Sequence, residues 1–144
     1  MKKCGVILVD MNNPCVKKIL IVFSRKSKKY GFPKGGQEEN EKWENTAIRE
    51  LKEETGYQLK SENLLQDAKR FLISNNVYFI VPFYNSRNNV VEEGPILDRK
   101  EILYKKWMSI EELETIKSEH FNLGLRHFMK SKDYLLPKQK RLLR

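Results

Sequence analysis

The stretch GGQEENEKWENTAIRELKEETGY, residues 35–57, decides how this chain is read. Its second half has helical spacing. Trp43, Ala47 and Leu51 fall at i, i+4 and i+8, and Gly56 stands at the C-terminal stop. This apolar stripe predicts a helix over 43–55 that docks on a sheet. Glu50, Glu53 and Glu54 crowd another face of the same helix. Like charges at that spacing repel by about a few tenths of a kcal/mol per pair, so a purely structural helix has no reason to collect them. A hard divalent cation removes the repulsion, because Mg²⁺ takes oxygen ligands and is commonly held by carboxylates together with substrate phosphates. Arg49, four residues before Glu53, is placed to orient a carboxylate from behind. For E-x-x-E-E alone, a solvated acidic helix is the competing reading.

The rest of the chain sets the context. It has 144 residues, with 28 Lys and Arg against 19 Asp and Glu, for a net charge of +9. That length suits one domain with an ordinary core. A composition 40% hydrophobic and 33% charged argues against disorder. The longest apolar runs, such as Ile19 to Phe23, fall far short of the ~20 residues that span a membrane. The run Gly5 to Val9 meets Asp10 before a signal-peptide core forms. Cys4 and Cys15 make no CxxC pair, so both are expected as reduced thiols and the protein as cytoplasmic. The charge is unevenly placed. Residues 1–34 hold nine basic residues and one acid, whereas residues 35–57 hold seven glutamates and three basic residues. An acidic segment thus lies inside a basic chain. The basic excess reads either as a solvated surface or as attraction to a polyanion.

Outward from the helix, strands are expected at 5–9 and 18–24, joined as a hairpin across the turn cluster Met11-Asn-Asn-Pro14. A basic loop follows at 25–29, and the Gly- and Pro-rich run 30–36 excludes helix. A strand over 77–84 contains Pro82, which suggests an edge or a bulge. Residues 85–89 read as a loop and 101–108 as a strand. A short helix is expected over 110–116 with Ser109 as N-cap, and a second C-terminal helix over 120–128. Residues 1–137 form one mixed α/β domain in this reading, and 138–144 a basic tail. His120 and His127 have no supporting zinc-ligand spacing and read as structural. Trp43 and Trp107 read as core.

The pattern Gly35, Glu41, Arg49, Glu50, Leu51, Glu53, Glu54, Gly56 matches the Nudix signature G-x5-E-x7-R-E-U-x-E-E-x-G-U. Only the last, usually aliphatic position departs, as Tyr57, and that change touches a packing residue. The chain resembles the Nudix hydrolase family over nearly its whole length. The resemblance implies an α/β/α sandwich around a mixed β-sheet. It also implies hydrolysis of a diphosphate linked to another group. By position, Glu50, Glu53 and Glu54 are implied ligands of Mg²⁺ or Mn²⁺, with the Gly35 carbonyl as a further ligand. Arg49 is the implied orienting residue and Glu41 a supporting carboxylate. The base that takes the proton of the attacking water varies in the family. Outside the helix Glu112, Glu114 and Glu119 are candidates, and Glu119 is chosen as the residue expected to start the last helix.

For the substrate, the lead-in Tyr30-Gly-Phe-Pro-Lys-Gly35 and the segment Ala47 to Tyr57 are similar to the mRNA-decapping Nudix enzymes, as is the stretch from Asp98 to Glu112. Capped RNA, or another polyanion, is therefore the expected partner, with release of 7-methylguanosine diphosphate. Phosphate contacts are expected from Lys18, Arg25, Lys29 and Lys34, and base stacking from Tyr30, Phe32 or Phe83. A diphosphoinositol or dinucleoside polyphosphate hydrolase is the second reading. A pyrophosphatase that removes damaged nucleoside triphosphates is the third. A catalytically silent binding module is the non-enzymatic alternative.

Overall fold

The computed structural model describes residues 1–60, 63–85, 90–92 and 94–138. Its organising strand is β1 (Lys3–Asp10), whose alternating side chains feed two cores. Val6 and Leu8 face one side, while Ile7 and Val9 face the other. β1 runs parallel to β7 (Asn76–Phe83), with Cys4 opposite Val77 and Asp10 opposite Phe83. Its second edge is shared. β4 (Lys34–Gly36) pairs antiparallel with the start of β1, placing Gly35 opposite Cys4. β2 (Lys18–Ser24) pairs with its end, at Val9 and Asp10. Further along, β2 takes β3 (Tyr30–Gly31) on one side and β9 (Ile102–Ser109) on the other. β6 (Lys69–Ile73) closes the far edge on β7. This is a seven-stranded sheet of mixed direction, beside a small pair formed by β5 (Tyr57–Leu59) and β8 (Val90–Glu92).

Helix α1 (Trp43–Thr55) has the bounds expected from its stripe. Ala47 and Leu51 are buried with Val6, Leu8 and Phe79, and Trp43 packs at the margin. Gly56 ends it in the left-handed conformation, φ 80°, and donates to the Lys52 carbonyl. Tyr57 is buried, and its hydroxyl accepts from the Trp107 indole at 2.9 Å, so the unusual residue here fills a packing position with a polar partner. After α2 (Asn63–Gln66), the opposite face of the sheet is covered by α3 (Ile110–Glu114), α4 (Leu123–Lys130) and α5 (Lys132–Leu135). Leu125 and Phe128 of α4 bury against Ile7, Phe32 and Tyr78. The result is the α/β/α sandwich with a mixed sheet.

Several expectations are refined or corrected. Pro82 stands where β7 is locally an edge, although β7 as a whole lies between β1 and β6. It is tolerated because β6 pairs β7 only as far as Ile80, leaving one neighbour at position 82. The last helix does not begin at His120. Residues Ser118–His120 form a 3₁₀ turn, and Asn122 caps α4 by accepting from the Leu125 amide at 3.0 Å. His120 and His127 therefore do not share a helix. Ser109 does cap α3, in a reciprocal box with Glu112. Residues 86–89 of the expected loop and 139–144 of the basic tail lie outside the described residues. Among the described residues no helix is long and apolar enough to cross a membrane.

Candidate active site

The β1–β4 pairing sets Gly35 beneath α1, and this backbone lies against the Glu50 carboxylate. A Cβ at Gly35 would overlap the Glu50 carboxyl carbon and oxygens, so a larger residue here would displace that carboxylate. Arg49 fixes the surrounding acids. Its Nε and Nη2 each donate to Glu41 at 2.9 Å, in a two-point fork. Nη1 donates to Glu50 at 2.9 Å and to Glu53 at 3.4 Å, and Nη2 also donates to the Gly36 carbonyl at 3.0 Å. One guanidinium thus ties three carboxylates to the strand that carries Gly35. Glu41 also accepts from the Thr46 hydroxyl at 2.6 Å. Its hydrogen bonds from Arg49 hold its pKa down at about 2.

Glu54 lies deeper and is 2% exposed. It accepts from the Lys34 amide at 3.2 Å. Burial first, and then the charge of Glu101, pushes its pKa up to about 9. Burial likewise raises Glu50, with Arg49 opposing. Two residues the sequence reading missed complete the group. Glu54, Asp98 and Glu101 each offer a carboxylate oxygen, and these oxygens lie within 4.8 Å of one another. Burial and the neighbouring Asp98 raise Glu101. A buried carboxylate, Glu54, crowded by the acids Asp98 and Glu101 is an unfavourable arrangement unless a cation joins them. All the donors are hard oxygens, so the set fits Mg²⁺ or Mn²⁺.

The expected cations and rings divide. Lys34 and Lys29 line a cleft of about 160 Å³ together with Glu54, Glu101 and Asn122. Burial lowers the Lys34 ammonium pKa. Arg25 is committed to structure: its amide donates to the Glu101 carbonyl at 2.8 Å and its Nε to the Arg99 carbonyl at 3.0 Å. Lys18 sits opposite Asp10 and Ser109, at the other end of β2 and about 13 Å along the strand from the cleft residue Val22. Phe32 is 1% exposed in the core between Tyr78 and Phe128, so it cannot stack on a base. Phe83 lies opposite Asp10, about 20 Å along β1 from the Cys4–Gly35 pair, and packs on Trp107. Tyr30 packs edge-on against Phe23 and shares a hydroxyl hydrogen bond with Tyr104 at 2.9 Å.

The three candidates for a base outside α1 stand in different settings. Glu119 is exposed in the 3₁₀ turn, and its carboxylate lies 3.7 Å from the His120 imidazole. Glu112 is held in the α3 cap, and Glu114 is exposed at that helix's end. Asp98 and Glu101 were signalled by two acids three residues apart just before an alternating strand. That signal is weak until β9 pairs with β2 and carries them to Glu54.

Fold and site together fit a hydrolase of diphosphate linkages, with a cluster of carboxylates that could hold a divalent metal. The chain belongs to the Nudix family: the family model described as NUDIX domain matches residues 1–130. No curated protein matches the chain. Among solved structures it is similar to an Ap4A hydrolase from C. elegans, with a TM-score of 0.61 and 16% identity, covering 94% of this chain and 96% of that one. It is also similar to a NUDIX hydrolase from Nitrosomonas europaea, with a TM-score of 0.61 and 23% identity, covering 93% and 88%. A MutT NUDIX hydrolase from Burkholderia pseudomallei matches with a TM-score of 0.59 and 15% identity, covering 90% and 97%. At these identities the likeness is one of fold.

Proposed function

We propose that this chain hydrolyses a phosphoanhydride within a 5′–5′ polyphosphate bridge, the linkage shared by capped RNA and dinucleoside polyphosphates. The observation that carries this reading is that Lys29 and Lys34 line the same cleft as Glu54 and Glu101. A bridge of several phosphates presents charge on both sides of the broken bond, and a cleft with both carboxylates and lysines suits it. Glu50, Glu53 and Glu54, with the Gly35 carbonyl, would hold Mg²⁺ or Mn²⁺. A bound ion of this kind offsets phosphate charge and acidifies the attacking water. Glu101, raised in pKa and exposed at the cleft, takes the water's proton in preference to Glu119. Lys34 binds a phosphate oxygen, and Arg49 keeps the helix carboxylates in place.

Capped RNA is placed first because of the lead-in from Tyr30 to Gly35, although the Phe32 ring is buried in the core and Phe83 lies away from the cleft. The test is a product assay in Mg²⁺ and in Mn²⁺. Its panel is capped RNA, a dinucleoside polyphosphate, diphosphoinositol polyphosphate and damaged nucleoside triphosphates. Release of 7-methylguanosine diphosphate from capped RNA supports that source, and release of a mononucleotide from the dinucleoside substrate supports the other. Turnover confined to the inositol compound, with release of orthophosphate, or confined to the triphosphates, overturns the proposal. Replacing Glu54→Gln is expected to reduce turnover, because a neutral amide is a weaker ligand than a carboxylate for a hard divalent ion. Unchanged function in that variant would instead point to a binding module.

A further inference from the structure

Beside the cleft lies a second, broader hollow of about 650 Å³, lined by Ser24, Lys26, Ser27, Asp98, Lys100 and Glu101. It shares Ser24, Ser27 and Glu101 with the cleft, so the two are continuous. The acids belong to the carboxylate group already described, which leaves Lys26 and Lys100 for a ligand of their own. These lysines come from two loops, residues 24–29 and 98–101, that the fold locks together. Arg25 straps the first loop to the second through the Glu101 and Arg99 carbonyls. The first loop is also closed on itself. Ser24 donates its amide to the Lys29 carbonyl at 3.0 Å, the Lys28 amide donates to the Ser24 carbonyl at 3.0 Å, and the Ser27 amide donates to the Ser24 hydroxyl at 3.2 Å. Lys28 takes φ +59°, a left-handed conformation that glycine or asparagine adopts more readily.

We infer that Lys26 and Lys100 form an anion subsite for the phosphates of the substrate beyond the bond that is hydrolysed, so that the enzyme selects for polyphosphate length. This rests on the polyphosphate reading above and adds the location of the second set of phosphates. Lys29 and Lys34 serve the phosphate next to the carboxylates. The continuous hollow gives the following phosphates a path towards Lys26 and Lys100. Arg25 acts as a positioning residue, because it joins the lysine loop to the segment that carries Glu101. A substrate with a single diphosphate would leave the subsite unused.

The test is calorimetric binding, in Mg²⁺, of methylene-bridged diphosphate and tetraphosphate analogues, which are not hydrolysed. The intact chain is expected to bind the tetraphosphate more tightly by about tenfold or more. In the double variant Lys26→Ala, Lys100→Ala that preference is expected to fall to about twofold or less. The slope of log affinity against log salt should become shallower by about 2, one for each phosphate contact removed. Lys17→Ala, Lys18→Ala removes the same charge from the far end of β2 and is expected to keep the length preference. Equal loss in both double variants would reduce the effect to net charge and overturn the subsite. So would an unchanged preference in the Lys26, Lys100 variant. Should that variant not fold, backbone amide shifts in the intact chain decide. Tetraphosphate must move the signals of Lys26, Ser27 and Lys100, and shifts confined to residues 17 and 18 overturn the assignment. Failure of the substrate panel with a positive binding result would remove the proposed substrate while leaving the subsite. The reverse pattern would remove the subsite alone.

Discussion

At the scale of single residues, Arg49 organises the site without needing to touch substrate. Its fork on Glu41 fixes the guanidinium plane, and the remaining donor then places Glu50 and Glu53. Lysine has the charge but not the fork, so Arg49→Lys cannot bond Glu41 at two points and still reach the other acids. Metal affinity or turnover is expected to fall about 10–100-fold in that variant, the usual effect of removing a residue that orients ligands. Mg²⁺ titration of activity checks this, and an unchanged half-saturating concentration together with an unchanged maximal rate would refute it. The carboxylates of α1 were legible in the sequence because one helix carries them at fixed spacing. Asp98 and Glu101 were not. They lie more than forty residues from Glu54, and tertiary contacts, the pairing of β9 with β2 and the bonds of residues 97–98 to the end of α1, bring them to it. The same limit explains Phe32 and Phe83. A ring's sequence position does not say which face of a strand or which end of a sheet it occupies.

At the scale of elements, the end of α1 determines where Asp98 and Glu101 sit. The last turn offers the Glu53 carbonyl, which accepts from the amides of both Leu97 and Asp98 at 2.9 Å. Gly56 then lets the chain turn with the Gly94 carbonyl so close that a Cβ would overlap it. Gly56→Ala therefore meets two obstacles, the positive φ and the Gly94 carbonyl. The left-handed conformation alone costs about 1–2 kcal/mol for a residue with a Cβ. The further effect falls on the segment that carries Asp98 and Glu101, so kcat is expected to drop more than KM rises. A variant that only melts earlier, with kcat intact at low temperature, would show that the overlap relaxes elsewhere. Among the elements, α1, β2 and the Ser109 cap were readable because periodicity and capping chemistry are local. The division of the C-terminal segment was not recognised, although Asn122 is a good N-cap residue. β6 was passed over because Lys69 to Ile73 is a half-exposed edge strand whose identity comes from pairing with β7.

At the scale of the whole molecule, the acidic site opposes folding until a cation enters. Glu54 is raised from 4.5 to about 9, so between those values the folded chain holds a proton that the unfolded chain has released. Stability of the chelator-treated protein is therefore expected to be highest near pH 4.5, below which the opposite sign of Glu41, held down at about 2, takes over, and to decline as pH rises towards 9. Burial acts in the same direction on Glu50 and Glu101. Glu54→Gln cannot ionise, so its melting temperature should be higher than that of the parent at pH 8 and should depend less on pH over this window. Mg²⁺ should reverse the parent's decline. An ion present at about a hundred times its dissociation constant adds about 2.7 kcal/mol. For a chain of this length that corresponds to about 8 °C in melting temperature. The increment should grow with pH, because the ion and the Glu54 proton compete for the same oxygens. Thermal melts of both proteins at pH 5, 7 and 9, with and without Mg²⁺, measure all of these effects. A parent whose melting temperature rises with pH in chelator, or gains nothing from Mg²⁺ at pH 9, would mean that these carboxylates are neither strained by burial nor joined by a cation.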